Sequence, residues 1–145
     1  MDYNKPIVSD GYQSTQDLPD QQDWSRILEC GTEQLYRANE LILPQGYPIP
    51  SVFQVVRGSV RVEQTVELPD GEQETRVLST IQNEGTFGEI SWLLDSHATA
   101  SVVANEETHL FVLDGQQLKH ALKLDDRLAG RFYKYLAITV ERWLR

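Results

Sequence analysis

The sequence lacks several features that would assign it to a class at once. Its 145 residues include one cysteine, Cys30, so no disulfide can form within the chain and a reducing, cytoplasmic setting is expected. No apolar run approaches the roughly 18–20 residues that a membrane-spanning helix needs. The N-terminal residues have neither a basic start nor an apolar stretch. We therefore expect no membrane span and no secretory signal.

Positive charge is scarce along most of the sequence. There are 13 lysines and arginines against 22 acidic residues, which gives a net charge of −9 with histidines neutral. General attraction to nucleic-acid phosphate is therefore not expected. The exception is residues 115–145, where seven basic residues accompany three acidic ones. A basic tail of this kind is suited to docking on acidic partners, although a solvated helix of mixed charge is the more ordinary interpretation.

Motifs typical of enzymes and metal sites are missing as well. The sequence has no P-loop, no G-x-G-x-x-G segment and no Ser/His/Asp arrangement. Its three histidines, His97, His109 and His120, lack the close spacing with an acid that indicates a metal site. Cys30 has no evident base beside it and is predicted to be a buried apolar thiol. We therefore expect neither an enzyme nor a metal or other cofactor.

Between Glu33 and Asp114 the sequence consists of short β-like runs broken by turn residues. The predicted runs are Gln34–Tyr36, Leu41–Leu43, Val52–Val56, Ser59–Leu68, Glu74–Ile81, Ala100–Ala104 and His109–Leu113. Pro69-Asp70-Gly71 between two alternating runs indicates a β-hairpin, because proline fixes φ and glycine accepts positive φ. Many short strands with turns about every 8–12 residues predict a β-sandwich or barrel.

The N-terminal part shows no strand pattern. Residues 1–19 are polar and aperiodic and are interpreted as a flexible arm, so the folded domain is predicted to span 20–145. Asp20 is a candidate N-cap for a short helix, and Gly31 is placed to end that helix.

The last part of the chain has the period of helices. Asp114 is placed to cap a short helix through about Lys123. Asp125 or Asp126 is placed to cap a long helix that runs to Arg145. One face of the long helix is an apolar stripe. The stripe consists of Leu128, Phe132, Leu136, Val140 and Trp143, widened by Ala129, Tyr135 and Ile138. It is expected to pack either on the β body or on a second copy of the chain, which would form a homodimer.

The most informative segment is Gly85–Val102. Its pattern predicts a glycine turn, one apolar helical turn, a polar loop and a strand. Gly88 allows the main chain to come close to a ligand. The N–H groups of Gly88, Glu89 and Ile90 are expected to be unpaired at the helix start, where an anion binds without a basic side chain. Glu89 is placed to accept hydrogen bonds from a sugar hydroxyl. The returning strand offers two hydroxyls, those of Thr99 and Ser101. The segment thus predicts a small pocket for a phosphate next to a ribose.

Here the sequence resembles the cyclic-nucleotide-binding domain family. The resemblance covers roughly Trp24 to Arg145. It includes Leu41–Gly46, Val52–Val62 and Phe87–Ile90, and the last of these resembles the opening of the family's phosphate-binding cassette. The resemblance implies a mainly β fold, a double-stranded β-helix or jelly roll, with a short N-terminal helix and a long C-terminal helix. It also implies a regulatory module, not an enzyme, with cAMP or cGMP as its ligand.

One departure from the family pattern concerns the phosphate. The family's phosphate-pairing arginine falls at Ala98, and the proline before it falls at His97. A charge-assisted hydrogen bond of this kind contributes about 1.5–3 kcal/mol. Its loss costs at least roughly 10–100-fold in affinity. The resemblance therefore implies an altered pocket, closer to divergent or docking members of the family than to the cAMP receptors. The predicted ligand-binding residues are Gly88, Glu89, Ile90, Ala98, Thr99 and Ser101.

The resemblance also implies a role for the C-terminal helix, because in this family the last helix commonly caps the ligand and forms the dimer contact. Tyr133 or Tyr135 would then stack on a purine base as a lid. The helix is expected to be the moving or dimerising element of a sensor. Three alternatives stay open. They are a protein-interaction or dimerisation domain that binds no ligand, a fragment of a cAMP-receptor-type transcription regulator, and a cupin enzyme, which would need convergent His/Glu metal ligands.

Overall fold

The computed structural model describes residues 17–82 and 84–143, and among these the side chains of Val140, Arg142 and Trp143 are not described. The predicted arm, 1–19, therefore lies outside the described residues except for its last three. In chain order the elements are α1 (Gln21–Leu28), β1 (Gly31–Tyr36), β2 (Leu41–Leu43), β3 (Ser51–Arg57), β4 (Ser59–Glu67), β5 (Gln73–Gln82), β6 (Thr86–Phe87), α2 (Glu89–Leu94), β7 (Ser101–Ala104), β8 (Thr108–Asp114), α3 (Gly115–Leu124) and α4 (Asp126–Trp143).

The strands form two four-stranded sheets, with the orders β1-β8-β3-β6 and β2-β7-β4-β5. The described pairings of β2, β3, β4 and β5 are all antiparallel. Alternating apolar residues of the two sheets meet in one core, in which Val55, Val60 and Leu110 are fully buried. The Phe53 and Phe87 rings stack there with centroids 4.8 Å apart. The predicted β-roll with flanking helices is confirmed.

The chain divides into two compact units: a β-roll, Glu33–Val112, and a helical unit made of the segments on either side of it. Within the helical unit, α1 contributes Trp24, whose ring lies edge-on to Phe132 and Tyr135 of α4. These contacts involve two residues of the predicted apolar stripe. Its buried members are Leu128, Phe132, Tyr135, Leu136 and Ile138.

The predicted helix caps are largely confirmed. The Asp20 carboxylate accepts a hydrogen bond from the Asp23 N–H at 2.8 Å, and the Asp23 carboxylate accepts one from the Asp20 N–H at 3.0 Å. Asp114 caps α3. Of the two candidates for α4, Asp125 is the cap: its carboxylate accepts from the N–H groups of residues 127 and 128.

Two details of the predicted fold are wrong. Gly31 does not end α1, because the helix stops at Leu28 and Gly31 begins β1. The Cys30 N–H donates to the Ile27 carbonyl at 3.0 Å, so the last turn closes without a left-handed glycine. The two-residue strand β6 is also absent from the predicted runs, because two residues carry no period.

The predicted hairpin and the predicted thiol are both confirmed. β4 and β5 pair on either side of Pro69-Asp70-Gly71, and Gly71 has a φ of +88°. Cys30 is buried and not disulfide-bonded. Burial raises the pKa of its thiol, with smaller contributions of the same sign from Glu29 and Asp114. A thiol in this state is a poor nucleophile at neutral pH.

Candidate functional site

The centre of the predicted site is the turn in the β-roll that joins β6 to α2. Gly88 is the N-cap of α2 and has a φ of +86°, which favours glycine. A Cβ at this position would lie 2.9 Å from the Ser51 carbonyl oxygen and 3.3 Å from the Phe53 ring. Gly88 therefore serves close packing against β3. Any larger residue would displace α2 from the sheet.

Glu89, the first residue of α2, carries the most unusual side chain of the roll. It is only 4% exposed, and its Oε2 atom has no hydrogen-bond partner among the described residues. Burial raises the pKa of this carboxyl, while its own main-chain N–H acts weakly in the opposite direction. A buried polar atom left unpaired costs about 1–3 kcal/mol. Among the described residues, Oε2 is therefore a buried acceptor whose hydrogen-bonding capacity is unused.

The first main-chain N–H groups of α2 have no hydrogen-bond partner within the helix. The first helical hydrogen bond runs from the Trp92 N–H to the Gly88 carbonyl at 3.0 Å, and no side chain caps the helix. The N–H groups of Glu89, Ile90 and Ser91 therefore precede the intrahelical ladder. The Ile90 side chain is 48% exposed, so of this predicted residue only the main chain has the chemistry for an anion.

Position 98 is held by hydrogen bonds to the loop that follows β2. The Ala98 N–H donates to the Tyr47 carbonyl at 2.8 Å, and the Ala98 carbonyl accepts from the Gly46 N–H at 2.8 Å. Pro48 and His97 form a β-bridge beside them. The Ala98 methyl group is buried and the His97 side chain is exposed. Both polar main-chain groups of Ala98 are therefore used within the protein, and its side chain brings no charge.

The two predicted hydroxyls have different surroundings. Ser101 Oγ accepts a hydrogen bond from the Gln45 N–H at 2.8 Å, which ties β7 to the loop after β2. The Thr99 side chain is exposed, and the Thr99 carbonyl accepts from Gln64 Nε2 at 3.1 Å. The structure thus gives Ser101 a defined structural contact, and its role in ligand binding stays a prediction.

The two predicted lid residues belong to the helical unit. Tyr135 is buried with its ring centroid 4.7 Å from that of Trp24. The Tyr133 side chain is 42% exposed, and its ring lies 6.4 Å from that of Phe132. Of the two, Tyr133 has the ring surface that a base could stack on.

Two features of the roll are not among the predicted site residues. The first is Thr86 in β6, a buried residue whose Oγ1 has no hydrogen-bond partner among the described residues. The second is the charge of the roll: residues 33–112 contain four arginines, no lysine and twelve acidic residues, a net charge of −8 with histidines neutral. Two of the arginines, Arg61 and Arg76, form ion pairs with Glu63 and Glu74. The net charge of the roll can be counted from the sequence. The missing partner of Thr86 Oγ1 cannot be predicted from any sequence pattern.

In the ranges 17–82 and 84–143, three or more His, Cys, Asp or Glu side chains nowhere cluster so as to hold a metal ion. None of the described helices is both long and apolar enough to cross a bilayer.

Comparison with known proteins identifies the family. The model of the cyclic nucleotide-binding domain matches residues 33–125. Cyclic GMP-binding protein C of Dictyostelium discoideum is 32% identical over 127 residues, which are 85% of this chain but 5% of that protein. The cGMP-dependent protein kinase 2 of Mus musculus is 24% identical over 114 residues, 78% of this chain and 15% of the kinase. The chain therefore spans a small part of the length of these relatives.

A solved structure agrees with the sequence matches. A cyclic nucleotide-binding domain from Methylobacillus flagellatus superposes with a TM-score of 0.76 at 17% identity, covering 87% of this chain and 68% of that one. At 17% identity, this structural similarity supports a shared fold only. Together with the match of the family model over the whole roll and α3, it places this chain in the cyclic nucleotide-binding domain family, whose domains are regulatory and generally not catalytic.

Proposed function

We propose that this chain is a regulatory module that binds a cyclic nucleotide, with cGMP as the first candidate, at the turn between β6 and α2. In this proposal Glu89 accepts a hydrogen bond from a ribose hydroxyl, and the N–H groups at the start of α2 face the phosphate. Thr99 and Ser101 line the same site from the returning loop and strand. Ala98 stands where a cation would neutralise the phosphate.

The observation that carries the proposal is the unpartnered Oε2 of Glu89. A chain with no use for a ligand would gain stability by replacing a buried, unsatisfied carboxyl with an apolar residue. A ribose hydroxyl would supply the missing donor. The choice of cGMP rests on the relatives, since one is named as a cyclic GMP-binding protein and another as a cGMP-dependent kinase.

The proposed pocket is weak for physical reasons. It has no cationic side chain at position 98, which removes about 1.5–3 kcal/mol of charge-assisted hydrogen bonding. The roll around it has a net charge of −8, which repels a cyclic phosphate. We therefore expect binding in the micromolar range or weaker, roughly 10–100-fold below that of a site with arginine.

Isothermal titration with cGMP and cAMP tests the proposal. We expect a single site that weakens about tenfold or more in Glu89→Gln, which keeps the shape and loses the carboxylate. Glu84→Gln is the matched control, because Glu84 is an exposed glutamate five residues upstream. Absence of binding heat at millimolar nucleotide, or an equal effect of the two variants, would overturn the proposal.

The proposed regulatory output involves α4. α4 belongs to the helical unit, whereas Glu89 belongs to the roll. A ligand can bias the position of α4 only by binding one arrangement of the two units more tightly than another. We expect cGMP to change amide hydrogen exchange in 126–143 of the wild type and to leave it unchanged in Glu89→Gln. Exchange that is the same with and without bound cGMP would exclude α4 as the moving element.

The second candidate is an interaction or dimerisation domain that binds no nucleotide. It is supported by the neutral Ala98, whose main chain is fully engaged by the 46–47 loop. Dimerisation through the apolar stripe of α4 has less support, because the described stripe residues are already buried within one copy. A titration without heat, together with a stable dimer in sedimentation, would favour this candidate.

A further inference from the structure

The strand β5 has an open edge in the described structure. It is the last strand in the order β2-β7-β4-β5, and no described strand pairs with its outer side. Its ten residues include eight consecutive exposed ones, Gln73–Thr80. Side chains alternate between the two faces of a strand, so eight consecutive exposed residues show that both faces of this part of β5 are solvent-exposed. Val77 and Leu78 are 60% and 54% exposed.

The other edge of the same hairpin is paired over most of its length. β7 pairs with β4 only from Val60 to Glu63, and beyond that point the Gln45 side chain takes the place of a strand. Gln45 Nε2 donates to the Thr65 carbonyl at 3.0 Å, and Gln45 Oε1 accepts from the Thr65 N–H at 2.8 Å. The main-chain N–H and carbonyl groups of Thr65 in β4 are thus paired with a side chain, whereas no described strand pairs with the outer groups of β5.

The usual devices that protect an edge strand are few here. β5 contains neither proline nor lysine, and its two charged residues, Glu74 and Arg76, pair with each other at 2.9 Å. One bulge interrupts the strand: Val62 pairs with Ser79 and Glu63 with Val77, which leaves Leu78 as the extra residue. Below it, Gln73–Val77 forms a regular five-residue stretch that can accept another strand.

This stretch is complementary to itself in the antiparallel direction. With Thr75 opposite Thr75 of a second copy, Glu74 of each copy lies opposite Arg76 of the other. Two cross-strand ion pairs then replace the pair that each copy now makes within its own strand. A two-fold axis through Thr75 would produce a closed dimer instead of an open fibre.

We propose that the outer edge of β5, residues 73–77, is a homodimerisation surface that pairs antiparallel with the same edge of a second copy. The main-chain hydrogen bonds supply the attraction, and Glu74 with Arg76 fixes the register. Val77 loses part of its exposed surface in the dimer. This interface is separate from the nucleotide turn, so it stands or falls independently of ligand binding.

Mixing two charge variants tests the surface. Glu74→Arg and Arg76→Glu each place like charges opposite each other in a self-pair, so each is expected to weaken the dimer about tenfold by sedimentation equilibrium. A one-to-one mixture of the two restores opposite charges across the interface and is expected to dimerise as the wild type does. Repair by mixing cannot come from an effect within one strand.

Two controls complete the experiment. Glu107→Arg makes the same charge change at an exposed position outside the hairpin and is expected to leave the dimer intact. Tyr133→Asp changes the exposed ring of α4 and should also have no effect. The proposal is overturned by a wild type that stays monomeric at millimolar concentration, by a mixture that does not recover dimerisation, or by a dimer that only Tyr133→Asp dissociates.

Discussion

Two buried carboxylates, Asp23 in the helical unit and Glu89 in the roll, show how differently the two regions treat the same chemical group. Asp23 is 8% exposed and Glu89 is 4% exposed, and each lies in the first turn of a short helix. Asp23 accepts hydrogen bonds from the Asp20 N–H at 3.0 Å and from Arg131 at 2.9 Å. Glu89 Oε2 has no partner among the described residues.

The contrast separates a carboxylate with hydrogen-bond donors at hand from a carboxyl with an unpaired oxygen atom among the described residues. In the helical unit the carboxylate joins α1 to α4 and satisfies a free donor at the helix start. In the roll the carboxyl is buried, and its Oε2 atom has no hydrogen-bond partner among the described residues to offset the cost of burial. Proteins break the rule of satisfied polar groups mainly at functional sites. The difference therefore points to Glu89, not Asp23, as the residue with an external partner.

The largest expected effect is on stability in the helical unit. Asp23→Ala removes half of the capping box and leaves the Arg131 guanidinium without its nearer carboxylate, so we expect the Tm to fall by about 5–10 °C. Differential scanning calorimetry measures it. Asp17→Ala is the control, because Asp17 forms only an exposed pair with Lys134 and should change the Tm by about 1 °C or less. Equal changes in Tm for the two variants would show that the burial of Asp23 adds nothing to the stability of the protein.

A substitution at Glu89 should have the opposite sign. Glu89→Met keeps the length of the side chain and removes the unsatisfied carboxyl, so we expect the free energy of unfolding to rise by about 1 kcal/mol. Urea denaturation gives this value, and cGMP titration of the same variant should show lost binding. A variant that is less stable than the wild type would contradict the contrast, because it would show that Glu89 has a stabilising partner.

The pH dependence of stability should also differ in sign. Burial raises the pKa of Glu89 above its ordinary 4.5, so the folded state binds a proton more readily, and this carboxyl destabilises the fold as the pH rises above about 4.5. The hydrogen bond from Arg26 lowers the pKa of Asp125 below its ordinary 3.8. Asp125 therefore stabilises the fold above that pH, and its contribution is lost as the pH falls through the lowered value.

Denaturation of two variants across pH measures this difference. The gain in stability from Glu89→Gln is expected to be greatest at neutral pH and to disappear as the pH approaches about 4.5. The loss from Asp125→Asn is also expected to be greatest at neutral pH, but it should persist to lower pH and disappear only below about 3.8. Parallel curves for the two variants would show that both carboxyls titrate alike in the folded state.

The same contrast explains how much the sequence could predict. The strands from β2 to β5 followed from alternation and turn residues, and the caps at Asp20 and Asp114 followed from side-chain chemistry. The end of α1 did not, because the helix ends at Leu28 without using Gly31, the glycine three residues later. Local rules therefore predict elements well wherever the stabilising contact is itself local.

The sequence predicts a position for the candidate site but not the contacts of its side chains. Its position came from the order of Gly88 and Glu89 and from the resemblance to the family. Whether Glu89 Oε2 has a hydrogen-bond partner depends on all the atoms around it, and a sequence motif does not contain that information. The hydrogen bond between the Gln45 N–H and Ser101 Oγ joins residues 56 positions apart. Only the closed roll brings such pairs together, so satisfaction of polar atoms is a property of the tertiary structure.

The smallest expected effect comes from the charge of the two regions. The roll has a net charge of −8, whereas the rest of the chain has −1, so a cyclic phosphate at Glu89 is repelled by its own unit. Raising the salt concentration from about 50 to 500 mM shortens the Debye length from about 13 to 4 Å and should strengthen cGMP binding about twofold. In Ala98→Arg the added cation would attract the phosphate, so the salt dependence should weaken or reverse. Titrations at several salt concentrations measure both slopes, and a wild-type affinity that falls with salt would mean that an arginine of the roll already reaches the phosphate.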